Sequence, residues 1–522
     1  MALTLPKYES DQLVSLIGNK RAIIQQLKVI FESLTKTIKN PIFLDPFCGT
    51  GAVSRIAKQL QMKVYASDIE YFSYIINSVF LTISAQQLSK MFINTGGIDS
   101  FYSLLNYHGL YAAKSSTGIN RPYLSRYYAP ADETEEGKRL FFTPVNARFF
   151  DAVREELEAT FIEERINESE KNVVLSTLLY EVSRKANTSG TFSSYHKSLK
   201  NVRSRIADVA QLNVPTLCDE NSLTSVVKNR DALTFLKEYS GDICYLDPPA
   251  SVVQYGSAYH LLNSVALWDY YEPSDEKDEK GVLVDKAGIR DDWKKSHSLF
   301  CSLKDADKAF VQLFGAVDAR HIVLTYPNNA LIQPNRVVEL LKARHSPVTI
   351  IPLYKQNSGG IQSKGGKQNL INIYITGKTK SPYYPVQVSL EMLPLFKRLD
   401  YLSTKIFNEM ESCQTFKFIG GVVLETPLQS SKIVQLSDSE IEKRIKEFEE
   451  GIIEDPQEAF KVVLKAMNEQ KSSKEKLKLE KILTSLARQS DLQSLAEFEN
   501  DKTAKRILKR AQNSVYGDKY ET

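Results

Sequence analysis

The chain has 522 residues, with 67 Lys and Arg against 63 Asp and Glu, for a formal net charge of +4. Hydrophobic residues make up 42% and charged residues 25%, which suits a globular protein able to bury a core and excludes a histone-like or polybasic chain. A neutral total still leaves room for a local basic surface that meets nucleic acid.

At about 150 residues per domain, the length predicts three or four domains, or two with large insertions. Five cysteines (Cys48, Cys218, Cys244, Cys301, Cys413) are widely spread and form no C-x-x-C pair. That pattern argues against a zinc site or a disulfide framework and for a reducing compartment. MALTLPKYESDQ lacks the basic-then-apolar pattern of a signal peptide, and no apolar stretch reaches the roughly 18 residues of a membrane span. The expectation is a cytoplasmic protein with no membrane contact.

In chain order, GNKRAIIQQLKVIFESL places Ile23, Ile24, Leu27 and Ile30 on one helical face. PIFLDPFCGTGAVSRIAKQL then reads as a short buried strand (Ile42 to Leu44), a glycine turn and a helix from about Ala52. KVYASDIE is a second strand ending in acids. Strand, glycine turn, helix, strand opens a doubly wound α/β sheet. From about 85 to 225 the pattern turns helical and aromatic. Strands return at Ile243 to Leu246 and Ile322 to Thr325, and VTIIPLY with LINIYITG forms a late strand pair. The charged stretch between Tyr271 and Lys295 reads as a solvated loop or flap. From Ser437, Leu, Ile and Ala alternate with Lys and Glu as amphipathic helices of a small bundle.

Three acidic positions close predicted strands. Asp45 begins DPFCGTG, where glycines let backbone approach a ligand and the next helix offers free N–H groups. The turn lacks the Gly-Lys-Ser/Thr ending of a P-loop and the third glycine of the dinucleotide fingerprint. Asp68 ends the second strand, where a carboxylate accepts from a ribose; capping the next helix is its rival role, and Glu70 is a neighbouring alternative. Asp247-Pro248-Pro249 follows an apolar strand at the edge where ligands bind in such sheets. Two prolines fix the backbone and leave only acceptors: one carboxylate and one carbonyl. Such a pair suits an exocyclic amine, whose protons it draws away while the lone pair turns toward an electrophilic methyl group.

With these motifs in place, the sequence resembles the Dam-like α-group of S-adenosylmethionine-dependent adenine DNA methyltransferases from Tyr8 to Thr376. IGNKR (Ile17 to Arg21) is similar to the family's N-terminal cofactor motif, which carries Gly18 and Lys20 into the cofactor set. DPFCGTG resembles the motif beside the cofactor's methionine part, adding Asp45, Phe47, Gly49 and Gly51. Asp68 matches the ribose acid, Asp231 in NRDALTFL the acid beside the cofactor's adenine, and Asp247 borders both cofactor and substrate. Further matches are NTSGTFSSYHKS, QYGSAYHLLNSVALWD and GIRDDWKKSHSLF. The resemblance implies catalysis by Asp247, Pro248, Pro249 and the fourth motif position. That position departs from the family: Ala250 stands where an aromatic, usually Tyr, stacks on the flipped adenine. Losing a stack worth about 1–3 kcal/mol implies activity reduced roughly tenfold to a hundredfold, or removed.

Three windows, 100–131, 182–206 and 340–390, hold no Asp or Glu and leave a net-acidic remainder. Arg184, Lys185, Lys197, Lys200, Arg203 and Arg205 are the candidate phosphate contacts, with Tyr123 and Arg126 in a base-reading region. His260 is expected to be packed rather than catalytic, and methyl transfer needs no metal.

The expected architecture is α/β: a Rossmann-like doubly wound methyltransferase sheet with a helical insertion and an α-helical C-terminal region. Its parts are a first core segment (1–84), a DNA-contacting insertion (85–225), a second core segment with the catalytic motif (226–380) and a mostly helical accessory domain (381–522). The expected partners are double-stranded DNA, at the nucleoid, and a cognate restriction endonuclease or other defence subunit. Rival readings are a non-catalytic DNA-binding module and a cytosine-amine or RNA methyltransferase.

Overall fold

A computed structural model describes residues 7–376, apart from 116, 133–134, 136, 201, 220–223, 328–329, 344–347 and 356–368, together with isolated positions between 460 and 508. The chain divides into two compact units, Met1–Tyr383 and Tyr384–Thr522. The longer elements of the first run α1 (Ile24–Thr35), β1 (Ile42–Asp45), α2 (Ala52–Gln59), β2 (Lys63–Asp68), α3 (Tyr71–Thr82), α4 (Ile98–Ser115), α5 (Pro144–Ile162) and α6 (Glu168–Lys185). They continue as β3 (Val226–Asn229), α7 (Ala232–Glu238), β4 (Gly241–Leu246), α8 (His260–Leu267), α9 (Ala306–Ala316), β5 (Ala319–Pro327), α10 (Pro334–Lys342), β6 (Val348–Lys355) and β7 (Asn369–Thr376).

The seven strands are ordered β3-β2-β1-β4-β5-β7-β6. β1 pairs in parallel with both β2 and β4, while β7 runs antiparallel to β5 and β6. Strand order reverses beside β1, which opens a crevice at the carboxyl ends of β1 and β4, the ligand position of such sheets. Phe43, Leu44, Ile243, Cys244 and Leu246 are fully buried, as central parallel strands covered on both faces require. The expected doubly wound Rossmann-like sheet is therefore present, and VTIIPLY and LINIYITG do pair, with Val348 opposite Thr376. β3 was not expected: VVKN is a four-residue edge strand without an apolar run.

α3 explains how the helical insertion joins the sheet. Its buried residues include Phe72, Ile75, Ile76, Val79 and Phe80, and it packs on β2 and β3 and also on α6. One apolar cluster therefore runs from Ile76 and Phe80 through Phe101, Phe149 and Leu178. α4 and α5 meet closely at Gly109, where an added Cβ would lie 2.5 Å from the Phe149 ring. Starts are set locally: the Thr143 hydroxyl accepts from Asn146 N at 3.2 Å before α5, with Pro144 in the first turn. Asn167 and Glu170 cap α6 reciprocally.

The charged stretch 271–295 is tied down rather than merely solvated. Arg139, 1% exposed, donates to the carbonyls of Tyr127 (3.2 Å) and Asp285 (2.8 Å) and to Asp275 (3.1 Å). Arg290 forks onto both Asp269 oxygens at 2.7 Å and also meets Asp292. Buried guanidinium donors need acceptors, and the loop supplies several of them.

In the second unit Phe460, Leu464 and Met467 are helical and buried, at spacings of four and three. Most of the helices expected from Ser437, and Cys413, lie outside the described residues. Among the described residues no helix is long and apolar enough to cross a membrane.

Candidate active site

The glycine turn after β1 is clamped from β2 and α3. Asp68 accepts from Gly49 N at 2.8 Å and Glu70 N at 2.9 Å. Ser73 and Asn77 donate to the Gly49 carbonyl at 2.6 and 2.9 Å. Gly51 sits at φ +77°, and a Cβ there would fall 2.2 Å from Asn77 Oδ1, so only glycine fits. Asp45 accepts from the Ser54 hydroxyl at 2.6 Å, while its buried Oδ1 carries no hydrogen bond among the described residues. Burial pushes the Asp45 carboxyl up to about 7, and the charges of Asp247 and Asp68 add to it. Glu70 is likewise pushed up to about 7 by burial and by Asp68, although Asn263 donates to it at 2.6 Å.

Asp247 leaves the end of β4 into a network spanning the chain. The Lys20 ammonium, 8% exposed, lies 2.6 Å from each carboxylate oxygen and also donates to Gly18 O at 2.6 Å. Thr325, at the end of β5, donates to Asp247 at 3.2 Å and lies 2.8 Å from the Tyr245 hydroxyl. The buried Lys20 ammonium needs a counter-ion, and the half-buried Asp247 carboxylate supplies it. The Ile17–Lys20 loop is itself gripped by two tyrosines. Tyr255 donates to Ile17 O at 3.0 Å, and Tyr259 accepts from Ile17 N at 2.6 Å.

These groups surround one cavity of about 430 Å³. Gly18, Lys20, Asp45, Phe47, Gly49, Asp68, Asp231, Asp247 and Pro249 all line it. Gly51, Pro248 and Ala250 are not among its lining residues. Asp231 also caps α7, accepting from Leu233 N and Thr234 N at 3.1 and 3.0 Å. His260 is fully buried, with Nε2 donating to Phe192 O at 3.1 Å, and burial pushes it down to about 4. It is packed, as expected.

Two DNA-contact expectations are corrected. Lys185 is 1% exposed and its ammonium donates to Asp208 O at 2.6 Å, because the last turn of α6 faces inward there. Tyr123 is equally buried, with the rings of Tyr127, Tyr128, Trp268 and Tyr270 at 5.6–5.9 Å. Neither side chain is presented to a duplex. Arg184 is engaged by Glu181, 2.7 Å from Nη2. Lys197, Lys200, Arg203, Arg205 and Arg126 are exposed.

Sequence reasoning missed Thr325, Ser54, Ser73 and Asn77. Each is a polar residue inside an otherwise apolar strand or a helix packed on the sheet, and that was the available signal.

A doubly wound sheet whose strand-end cavity joins a clamped glycine turn, acids at three strand ends and an Asp-Pro-Pro corner defines a methyltransferase of the Rossmann-like class. Residues 16–277 match the family model described as D12 class N6 adenine-specific DNA methyltransferase. The chain belongs to that family, whose reaction is methylation of adenine N6 in DNA. It is 29% identical over 327 residues to the type II methyltransferase M.NlaIII of Neisseria lactamica, covering 62% of this chain and 87% of the relative. Against the type II methyltransferase M.FokI of Planomicrobium okeanokoites, identity is 30% over 344 residues, 64% of this chain and 47% of that protein. The modification methylase LlaI of Lactococcus lactis subsp. lactis is 25% identical over 409 residues, with coverages of 76% and 60%. The chain thus spans most of the first relative and about half to three fifths of the other two.

Proposed function

We propose that the chain moves a methyl group from S-adenosylmethionine to N6 of an adenine turned out of double-stranded DNA at a specific sequence. The observation that carries this reading is Asp247, held by Lys20 and Thr325 at the rim of a cavity whose other walls are Asp45, Asp68 and Asp231. The residues fit the cofactor. Asp45 Oδ1, buried without a hydrogen bond, suits its ammonium group; Asp68 suits the ribose and Asp231 the adenine. When bound, the cofactor supplies a methyl group already activated on a sulfonium. Asp247 accepts one N6–H and the Pro248 carbonyl the other, which frees the nitrogen lone pair. Lys20 stays on the carboxylate and balances its charge, and the displaced N6 proton leaves to solvent.

Lys197, Lys200, Arg203, Arg205 and Arg126 remain the proposed DNA contacts, on an insertion (85–225) proposed to meet the duplex. Phosphate contacts of this kind release counterions, so duplex binding weakens steeply with salt if they act as read. The relatives' names, type II methyltransferases and modification methylases, support restriction–modification as the setting; an endonuclease partner and an accessory helical domain at 381–522 are proposed alongside it.

The test is nucleoside analysis of unmethylated duplex DNA incubated with the chain and tritiated S-adenosylmethionine. N6-methyladenine at one recurring sequence is expected. Label in cytosine alone, or in no base, sinks the assignment; the latter result favours a binding module.

Cofactor affinity should also depend on pH. Free Asp45 titrates at about 7, whereas an adjoining ammonium favours its carboxylate, so binding releases a proton. Affinity is then lowest in acid, rises with pH up to about 7, and levels off above. Calorimetric titration reads this, and Asp45→Asn should flatten the profile. A flat profile in the parent removes the Asp45–ammonium contact.

A further inference from the structure

We propose that His297 supplies the aromatic face for the target adenine, replacing the ring missing at Ala250. This rests on the adenine-methylation reading above. Ala250 presents a single methyl group where about 1–3 kcal/mol of base stacking is otherwise obtained. The catalytic loop, however, does not stand alone. The Gln254 amide donates to Ser298 O at 3.1 Å and accepts from Ser298 N at 2.9 Å. Cys301 Sγ donates to Val253 O at 3.2 Å. Three hydrogen bonds thus join residues 253–254 to 298–301, and His297 is the residue just before that clamp.

His297 lines the same cavity as Asp247 and Pro249, and it is exposed. The Trp293 ring lies 6.5 Å from it, with 33° between the planes. Other rings at this cavity are committed elsewhere. Tyr245 is 1% exposed and bonded to Thr325, and the Tyr255 hydroxyl holds Ile17. Phe300 is buried, edge-on to Phe47 at 5.2 Å. An imidazole is flat and stacks on bases as other aromatic side chains do. The ring-bearing role has moved from the motif itself to a segment pinned against it.

The experiment combines His297→Ala, His297→Phe and Ala250→Tyr in the full chain. kcat/KM is measured on duplex DNA, and emission is measured from a duplex with 2-aminopurine at the target position, once methylation-sensitive sequencing of DNA treated with the Ala250→Tyr form has located it. His297→Ala is expected to lower kcat/KM about tenfold to a hundredfold and to brighten the bound 2-aminopurine, since an unstacked base is less quenched. His297→Phe should restore most of both signals. Ala250→Tyr should rescue His297→Ala, a non-additivity expected of residues sharing one role. Melting temperature should not move.

The inference is overturned if His297→Ala matches the parent in rate and emission. It is equally overturned if the parent is silent and Ala250→Tyr alone revives it. Asp247→Ala separates the two levels. If it is silent while His297→Ala is normal, only this inference falls; if it methylates like the parent, the underlying reading has failed.

Discussion

Replacing Asp247 with alanine is expected to lower kcat for methyl transfer by about 10²–10³, the usual cost of losing one preorganised group at the reacting centre. The substitution removes the proposed acceptor for an N6–H and also strands Lys20, whose ammonium now lies 2.6 Å from both carboxylate oxygens. Asp247→Asn separates these effects. It keeps an acceptor oxygen but no charge, so alignment survives in part while Lys20 loses its counter-ion. Asn is therefore expected to fall between Asp and Ala in rate, yet to share with Ala a lower melting temperature, because an uncompensated buried charge is destabilising. Single-turnover transfer of a tritiated methyl group measures the first effect and calorimetry the second. An Ala variant within tenfold of the parent would remove Asp247 from the chemistry.

The largest effect on stability is expected at Asp151. This fully buried carboxylate lies on α5 and organises the segment before Arg126. It accepts from Tyr123 N at 3.1 Å, Leu124 N at 2.8 Å, Ser125 N at 2.9 Å and the Ser125 hydroxyl at 2.6 Å. Burial pushes its carboxyl up to about 6 even with these donors around it. Asp151→Ala leaves three backbone N–H groups buried without an acceptor, each costing about 1–3 kcal/mol. After partial relaxation the loss is expected at about 3–5 kcal/mol, a fall in melting temperature on the order of 5 °C. Asp151→Asn should do little better, since it turns one acceptor into a donor facing other donors. Thermal unfolding of the three forms decides this. A loss below about 1 kcal/mol would mean that solvent or a shifted loop takes over those N–H groups. In function, the same substitution should blunt DNA binding through Arg126, an exposed residue on the anchored segment.

What was readable in the sequence follows from how local its cause is. Ile42 to Asp45 and Ile243 to Asp247 stand out because a short apolar run, an acid and a Gly or Pro turn are sequential neighbours. Residues that act together from distant positions are not legible this way. Lys20 could be assigned to a cofactor motif, but nothing local ties it to Asp247, 227 positions away. Thr325 and Gln254 are ordinary strand and loop residues until their partners arrive. Charge windows failed differently. They register that Lys185 and Arg184 are basic, not that one turns inward to Asp208 and the other onto Glu181.

The sequence by itself determined the doubly wound sheet, the acids that close three of its strands and the absence of a ring at Ala250, because each is a matter of neighbouring residue types. The near-neutral charge excluded a polybasic chain and no more. Tertiary structure decided which acids share a cavity, which basic residues reach the surface, and that His297 lies beside the catalytic loop. Those outcomes depend on packing and on buried donors finding acceptors, and such pairings are made across the fold rather than along the chain.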